Sequence, residues 1–168
     1  ALVHTTGFLT NLGVLSALAD PGDVLLCDRE AHASILEGCR ASGARVATFH
    51  HNKPESAQRK LDSLMNNRPQ AMVYLITEGI FSMSGDVADL PGLTALKERY
   101  PNLVLYLDDA HGLGALGAEQ APGRGAAGFF GLTGQTDMIM GTFSKALASI
   151  GGFVASDDKD MLTYLRHH

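Results

Sequence analysis

Short aliphatic runs alternate with segments of helical spacing along the whole sequence, and this alternation narrows the possible folds more than any other feature. The runs are Val24–Leu26, Arg45–Phe49, Met72–Thr77, Leu103–Leu107, Met138–Met140 and Gly152–Ala155. Met72–Thr77 and Leu103–Leu107 are almost wholly apolar, as strands covered on both faces must be. Between the runs, Phe8, Leu12, Leu15 and Ala19 fall at i, i+4, i+7 and i+11, and Pro21-Gly22 stops that helix. Ala57, Leu61, Leu64 and Met65 repeat the pattern after Pro54, a residue tolerated in a first turn. Leu90, Leu93 and Leu96 follow Asp89 as N-cap, and Met161, Leu162 and Leu165 predict a last helix. The order predicts an α/β fold with a mostly parallel sheet sandwiched by helices. At 168 residues it predicts one domain, 1–168. Gly112–Gly134 is glycine-rich and lacks helical periodicity, which predicts a long functional surface loop.

Composition removes several function classes. The chain has 13 basic and 18 acidic residues, a net charge of −5, where a nucleic-acid surface needs a basic excess or stripe. Apolar residues at 45% and charged residues at 18% exclude a disordered chain. No apolar run approaches the roughly 20 residues of a membrane span. Cys27 and Cys39 read as reduced structural thiols of an intracellular protein. His50, His51, His167 and His168 show no metal-ligand spacing, so no metal is expected. The sequence opens at Ala1 without Met, and a fragment of a longer, cytoplasmic protein is expected.

In an open parallel sheet, ligands sit beyond the carboxyl ends of the strands, so polar residues that follow apolar runs are the candidates. Three clusters qualify: Thr77-Glu78-Gly79 leading to Ser82, Asp108-Asp109-Ala110-His111-Gly112, and Thr142-Phe143-Ser144-Lys145. Alone, an Asp at a strand end is more often a cap or turn residue, and a lysine is more often solvated. Lys145 is set apart by its neighbours, with no other charge between Asp137 and Asp157. That isolation predicts partial desolvation, which makes an amine a usable nucleophile for a Schiff base. Gly112-Leu113-Gly114-Ala115-Leu116-Gly117 matches the dinucleotide pattern G-x-G-x-x-G, but Pro122, Gly123 and Gly125 follow where a helix should begin. NAD binding is therefore set aside.

These clusters, together with Gly7-Phe8-Leu9-Thr10-Asn11 and Asp28-Arg29-Glu30-Ala31-His32-Ala33-Ser34, resemble the α-oxoamine synthases, pyridoxal-phosphate (PLP) enzymes of the aspartate aminotransferase fold. The resemblance runs from about Thr6 to the last residue. It implies the large, cofactor-binding domain of the PLP-dependent transferase fold, truncated at both ends, without the N-terminal segment and C-terminal small domain. It implies condensation of an amino acid with an acyl-CoA thioester, with loss of carbon dioxide. Lys145 would carry PLP as the internal aldimine and then take the substrate α-proton. Asp108 would pair with the pyridine nitrogen, His111 would hydrogen-bond the phenolic oxygen, His32 would stack on the ring, and Ser82 would bond near that oxygen. The amides of Gly7 and Phe8, where the first helix begins, with the hydroxyls of Thr142 and Ser144, would hold the phosphate. The family also implies a homodimer with the active site at its interface. Many relatives have Glu where this chain has Asp109. The alternatives are another PLP enzyme of the same fold, an aminotransferase or carbon–sulfur lyase, or a non-catalytic partner subunit.

Overall fold

The computed structural model describes residues 1–120 and 122–168. In chain order the elements are β1 (Leu2–His4), α1 (Gly7–Leu18), β2 (Val24–Asp28), α2 (Ala33–Ala41), β3 (Arg45–Phe49), α3 (Pro54–Asn67), β4 (Val73–Glu78), α4 (Leu90–Ala95), β5 (Leu103–Asp108), α5 (Gly125–Phe129), β6 (Met138–Thr142), β7 (Gly152–Ala155) and α6 (Lys159–His167), with short 3-10 turns after α4 and α5. One seven-stranded sheet has the order β1-β7-β6-β5-β4-β2-β3. Strands β2 to β6 run parallel to one another, whereas β7 is antiparallel to both of its neighbours, β6 and β1. The strand at the far edge, β1, was not legible: three residues, Leu-Val-His, carry no usable periodicity.

Strand alternation sorts the core into two layers. Leu25, Cys27, Ile76, Tyr106 and Met140 face α1, α2 and α6. Leu26, Leu75, Leu105 and Leu107 face α3 and α4 on the other side. The predicted stripe of α1 is rotated, for its buried residues are Thr10, Asn11, Val14, Leu15 and Leu18, while Phe8 is exposed. A polar Asn11 thus occupies a core-facing position. Gly38 is required where α2 crosses α1, since a Cβ there would lie 2.7 Å from the Asn11 carbonyl oxygen.

The surface loop expected over Gly112–Gly134 is corrected in part. Ala121 lies outside the described residues, but Gly125, Ala126 and Ala127 are buried in α5, and Leu113 pairs with Arg124. Five residues are too few to show helical periodicity, and the segment is held inward by a buried carboxylate described below.

Candidate active site

The carboxyl ends of β2, β4, β5 and β6 meet at one end of the sheet and place Asp28, Glu78, Asp108 and Thr142 there. Beside them lies a cavity of about 400 Å³. The first turns of α1 (Gly7, Phe8, Asn11) and the entry to α2 (His32, Ser34) form one wall. Glu78, Asp108 and His111 also line the cavity, and the segment from Thr142 to Gly151, including Lys145, forms a lip that meets the start of α1 at Gly7.

Asp108 is held firmly. Its Oδ2 accepts from Asn11 Nδ2 at 2.6 Å and its Oδ1 from the Ala110 amide at 3.0 Å. Asn11 Oδ1 in turn accepts from the buried Tyr106 hydroxyl at 2.7 Å, and Asn11 Nδ2 also reaches Ser34 Oγ at 2.9 Å. His32 is the N-cap of α2, with its side chain accepting from the Ser34 amide. Its own amide donates to Glu78 Oε1 at 2.6 Å. Burial, reinforced by Asp108, pushes Glu78 up to about 7, against the pull of the His32 amide and the Lys145 charge. His111 is half-buried; desolvation first, then the Lys145 charge, lower its pKa. The Phe8 and His32 rings meet edge-on, with centroids 6.4 Å apart.

At the other pole, Thr6 caps α1 by accepting from the Leu9 amide at 3.1 Å. The Gly7 and Phe8 amides belong to the first helical turn, which has no intrahelical acceptor, and they border the cavity. Glycine is needed at position 7, because a Cβ would come 2.9 Å from Thr142 Oγ1.

Three expectations need correction. Thr142 borders the cavity, but its hydroxyl donates inward to the Gly151 carbonyl at 3.0 Å, so its proton is already used. With that proton spent, the 2.9 Å contact makes Ser144 Oγ the donor to Thr142 Oγ1, and Ser144 is exposed, so its hydroxyl can turn to a ligand only by giving up that bond. Lys145 is exposed rather than desolvated. Turn bonds from Ala148 to the Lys145 carbonyl (3.0 Å) and from Ser149 to the Phe143 carbonyl (2.8 Å) curl residues 144–150 off the sheet, so apolar Leu147 and Ile150 are exposed beside it. Ser82 does not line the cavity. The Phe81 amide donates to Asp86 and the Gly85 amide to Phe81, and this tight turn carries Ser82 outward into solvent.

The aminotransferase class I and II sequence pattern matches residues 1–167. The chain belongs to this family. Within it, the chain is similar to a serine palmitoyltransferase of Bacteroides thetaiotaomicron, 44% identical over 100% of the chain and 41% of the relative. An 8-amino-7-oxononanoate synthase of Thermoanaerobacter pseudethanolicus is 41% identical over 99% of the chain and 40% of the relative. Among solved structures, a serine palmitoyltransferase variant from S. paucimobilis with a bound PLP–myriocin aldimine superposes with a TM-score of 0.89 at 34% identity, over 97% of this chain and 39% of that one. Both relatives are of the α-oxoamine synthase type, and the fold is that of the PLP-dependent transferases. The chain spans about two fifths of the length of the curated relatives it matches.

The same geometry shows what sequence reasoning missed in this aminotransferase-family chain. Asn11, Ser34 and Glu78 all border the cavity and carry its hydrogen bonds, yet none was given a role, although Glu78 stood in one of the three candidate clusters. A signal existed for Asn11, since asparagine is a poor interior helix residue and Gly7 and Asn11 stand one turn apart on one helix face. Glu78 directly follows an apolar strand, the position the sheet rule singles out.

Proposed function

We propose that this chain is the cofactor-binding part of an enzyme that condenses an amino acid with an acyl-CoA thioester and releases carbon dioxide, using PLP. The reading is carried by the convergence of Lys145, Asp108, His111 and His32 on one cavity, with the unpaired first-turn amides of α1 beside it. The two relatives match at similar identity, 44% and 41%, which favours the reaction class they share over either substrate. The run Thr142-Phe143-Ser144-Lys145 followed by Ala-Leu-Ala-Ser-Ile-Gly-Gly-Phe leans toward the serine palmitoyltransferase type.

The residues fit this cofactor in chemical kind. Asp108 offers an acceptor for a pyridinium N–H, the Gly7 and Phe8 amides offer donors for a phosphate, joined by the exposed Ser144 hydroxyl once it turns from Thr142, and Lys145 offers a primary amine. PLP, when bound, supplies the electron sink that a carbanion at the amino-acid α-carbon requires. The α1–α2 wall does the positioning: Asn11 and Ala110 fix the Asp108 carboxylate, and Glu78 fixes the backbone at His32. His111, kept neutral at pH 7 by burial and by Lys145, is suited to donate a hydrogen bond to an oxygen in the cavity. Lys145 Nζ would serve both as the attachment point and as the base at the α-carbon. Exposed Phe8, Leu147 and Ile150 around the mouth support a cover from a second subunit, hence a homodimer with the site at the interface. The free thiols Cys27 and Cys39 are in keeping with a cytoplasmic location, and no helix among the described residues is long and apolar enough to cross a membrane.

Borohydride reduction of the full-length protein with PLP, followed by peptide mapping, tests this reading. A pyridoxyl group on Lys145, and carbon dioxide release that requires both an amino acid and an acyl-CoA, is the expected result. An adduct with amino-group exchange to a keto acid would replace it by an aminotransferase. No adduct at all would leave a non-catalytic subunit.

A further inference from the structure

Asp108 and His32 reach the cavity from different elements, the end of β5 and the entry to α2, yet one chain of hydrogen bonds joins them. Its donors and acceptors follow by elimination. The Tyr106 hydroxyl is wholly buried and its partner is Asn11 Oδ1 at 2.7 Å. With Oδ1 there, Asn11 Nδ2 faces Asp108 Oδ2 at 2.6 Å and Ser34 Oγ at 2.9 Å. The flipped amide would bring two oxygens together at the first of these distances and is excluded. Ser34 Oγ accepts from Asn11, so its single proton goes to His32 Nδ1, 2.7 Å away. The Ser34 amide donates to the same nitrogen at 3.2 Å. Nδ1 is therefore an acceptor, and the neutral ring carries its proton on Nε2.

We propose that Asn11 is a positioning residue that organises both groups at once: it fixes the Asp108 carboxylate and, through the Ser34 hydroxyl, reinforces the Nε2–H tautomer of His32 that the Ser34 amide also favours. The fold arranges this directly. Strand alternation puts Tyr106 and Asp108 on one face of β5, and Asn11 sits one helical turn after Gly7, under the same cavity. Gly38 lets α2 approach closely enough for Ser34 to reach it. The importance of the pair rests on the PLP reading above, but the tautomer can be read without cofactor.

The test is NMR of the full-length protein labelled with ¹⁵N-histidine, without and with PLP, beside spectrophotometric PLP titration. The wild type should show His32 with a pyridine-like Nδ1 and a protonated Nε2. Asn11→Ala and Ser34→Ala keep the residue-34 amide on Nδ1, so each should raise the Nδ1–H fraction of that signal without inverting it. Asn11→Ala should also weaken PLP binding about ten-fold, the loss of one hydrogen bond to a charged group, whereas Ser34→Ala, which leaves Asp108 its donor, should weaken it about two-fold or less. If Asn11→Ala does not fold by circular dichroism, Ser34→Ala and Tyr106→Phe, which frees the Asn11 amide to turn, carry the test. A wild-type ring protonated on Nδ1, or folded variants that keep both tautomer and PLP affinity, would overturn the proposal. The expected tautomer without a Lys145 adduct would retire the cofactor reading and uphold the role of Asn11.

Discussion

Asp108 and Asp109 are neighbours in sequence and both buried, yet they point to opposite sides of the sheet end and serve different purposes. Asp108 faces α1 and the cavity, with both oxygens accepting hydrogen bonds. Asp109 faces the glycine-rich segment. Its Oδ2 accepts from the Ala126 amide at the start of α5 at 2.7 Å, while its Oδ1 has no partner among the described residues. A Cβ at Gly79, Gly112 or Gly125 would collide with this carboxylate. Gly112, the first glycine of the pattern that imitates a dinucleotide fingerprint, is thus required because a carboxylate occupies the space where its side chain would go. One strand end supplies a pole for chemistry and, one residue later, a staple for the loop that follows.

The largest effect should come from filling that cage. Gly125→Ala adds a Cβ against the carboxylate at a residue whose φ is 76°, a left-handed conformation. Strain and overpacking together should cost about 4 kcal/mol in urea unfolding. Gly131→Ala, at φ 69° but in open space, should cost only about 1 kcal/mol. Equal losses would mean that the staple does not confine the loop. Next is Asp108→Ala, which strands the buried Asn11 amide: about 3 kcal/mol of stability, with PLP affinity lost in the same variant. Retained PLP affinity would take Asp108 out of the site.

Asp109 also gives the comparison a pH axis. Burial, opposed by the Ala126 amide and aided by Asp108, raises its pKa from the ordinary 3.8 to about 6. The folded state therefore holds this proton more tightly than the unfolded chain does. The stabilisation is complete below about pH 4 and is lost as pH rises through 6, by roughly 2–3 kcal/mol. Asp109→Asn should flatten that part of the stability–pH profile, measured by urea unfolding between pH 4 and 8. An unchanged profile would show that the carboxylate titrates normally and that the cage is open to water.

What could be read from the sequence follows the strength of local signals. Apolar runs bounded by polar strand ends located β2 to β7 within a residue or two, and with them Asp108, Thr142 and the Lys145 segment. Signals that depend on a partner far along the chain were not readable. Asn11 meets Asp108 across 97 positions and the His32 amide meets Glu78 across 46, and no periodicity encodes such pairs. His51, given no role by its sequence, bonds Asp28 at 3.0 Å and Asp86 at 3.2 Å and ties the Ser82 turn to the end of β2. Lys145 failed for a related reason. Apolar neighbours predict desolvation only if they fold over the amine, and here Leu147 and Ile150 turn outward beside it.

That outward turn sets the smallest expected stability effect beside a complete chemical one. The Lys145 side chain makes no hydrogen bond or ion pair among the described residues, and its segment, Ser144–Ile150, is exposed throughout. Lys145→Ala should therefore change the unfolding free energy of the PLP-free protein by no more than about 0.5 kcal/mol, while eliminating the borohydride-trapped pyridoxyl adduct. Asp108→Ala loses stability and cofactor together, because the Asp108 carboxylate is tied into the core through Asn11 and Tyr106. The contrast separates a residue built into the fold from one presented by it. A loss well above 1 kcal/mol for Lys145→Ala would mean that, in the full-length assembly, other chain segments close over this lip and supply the desolvation that the amine lacks here.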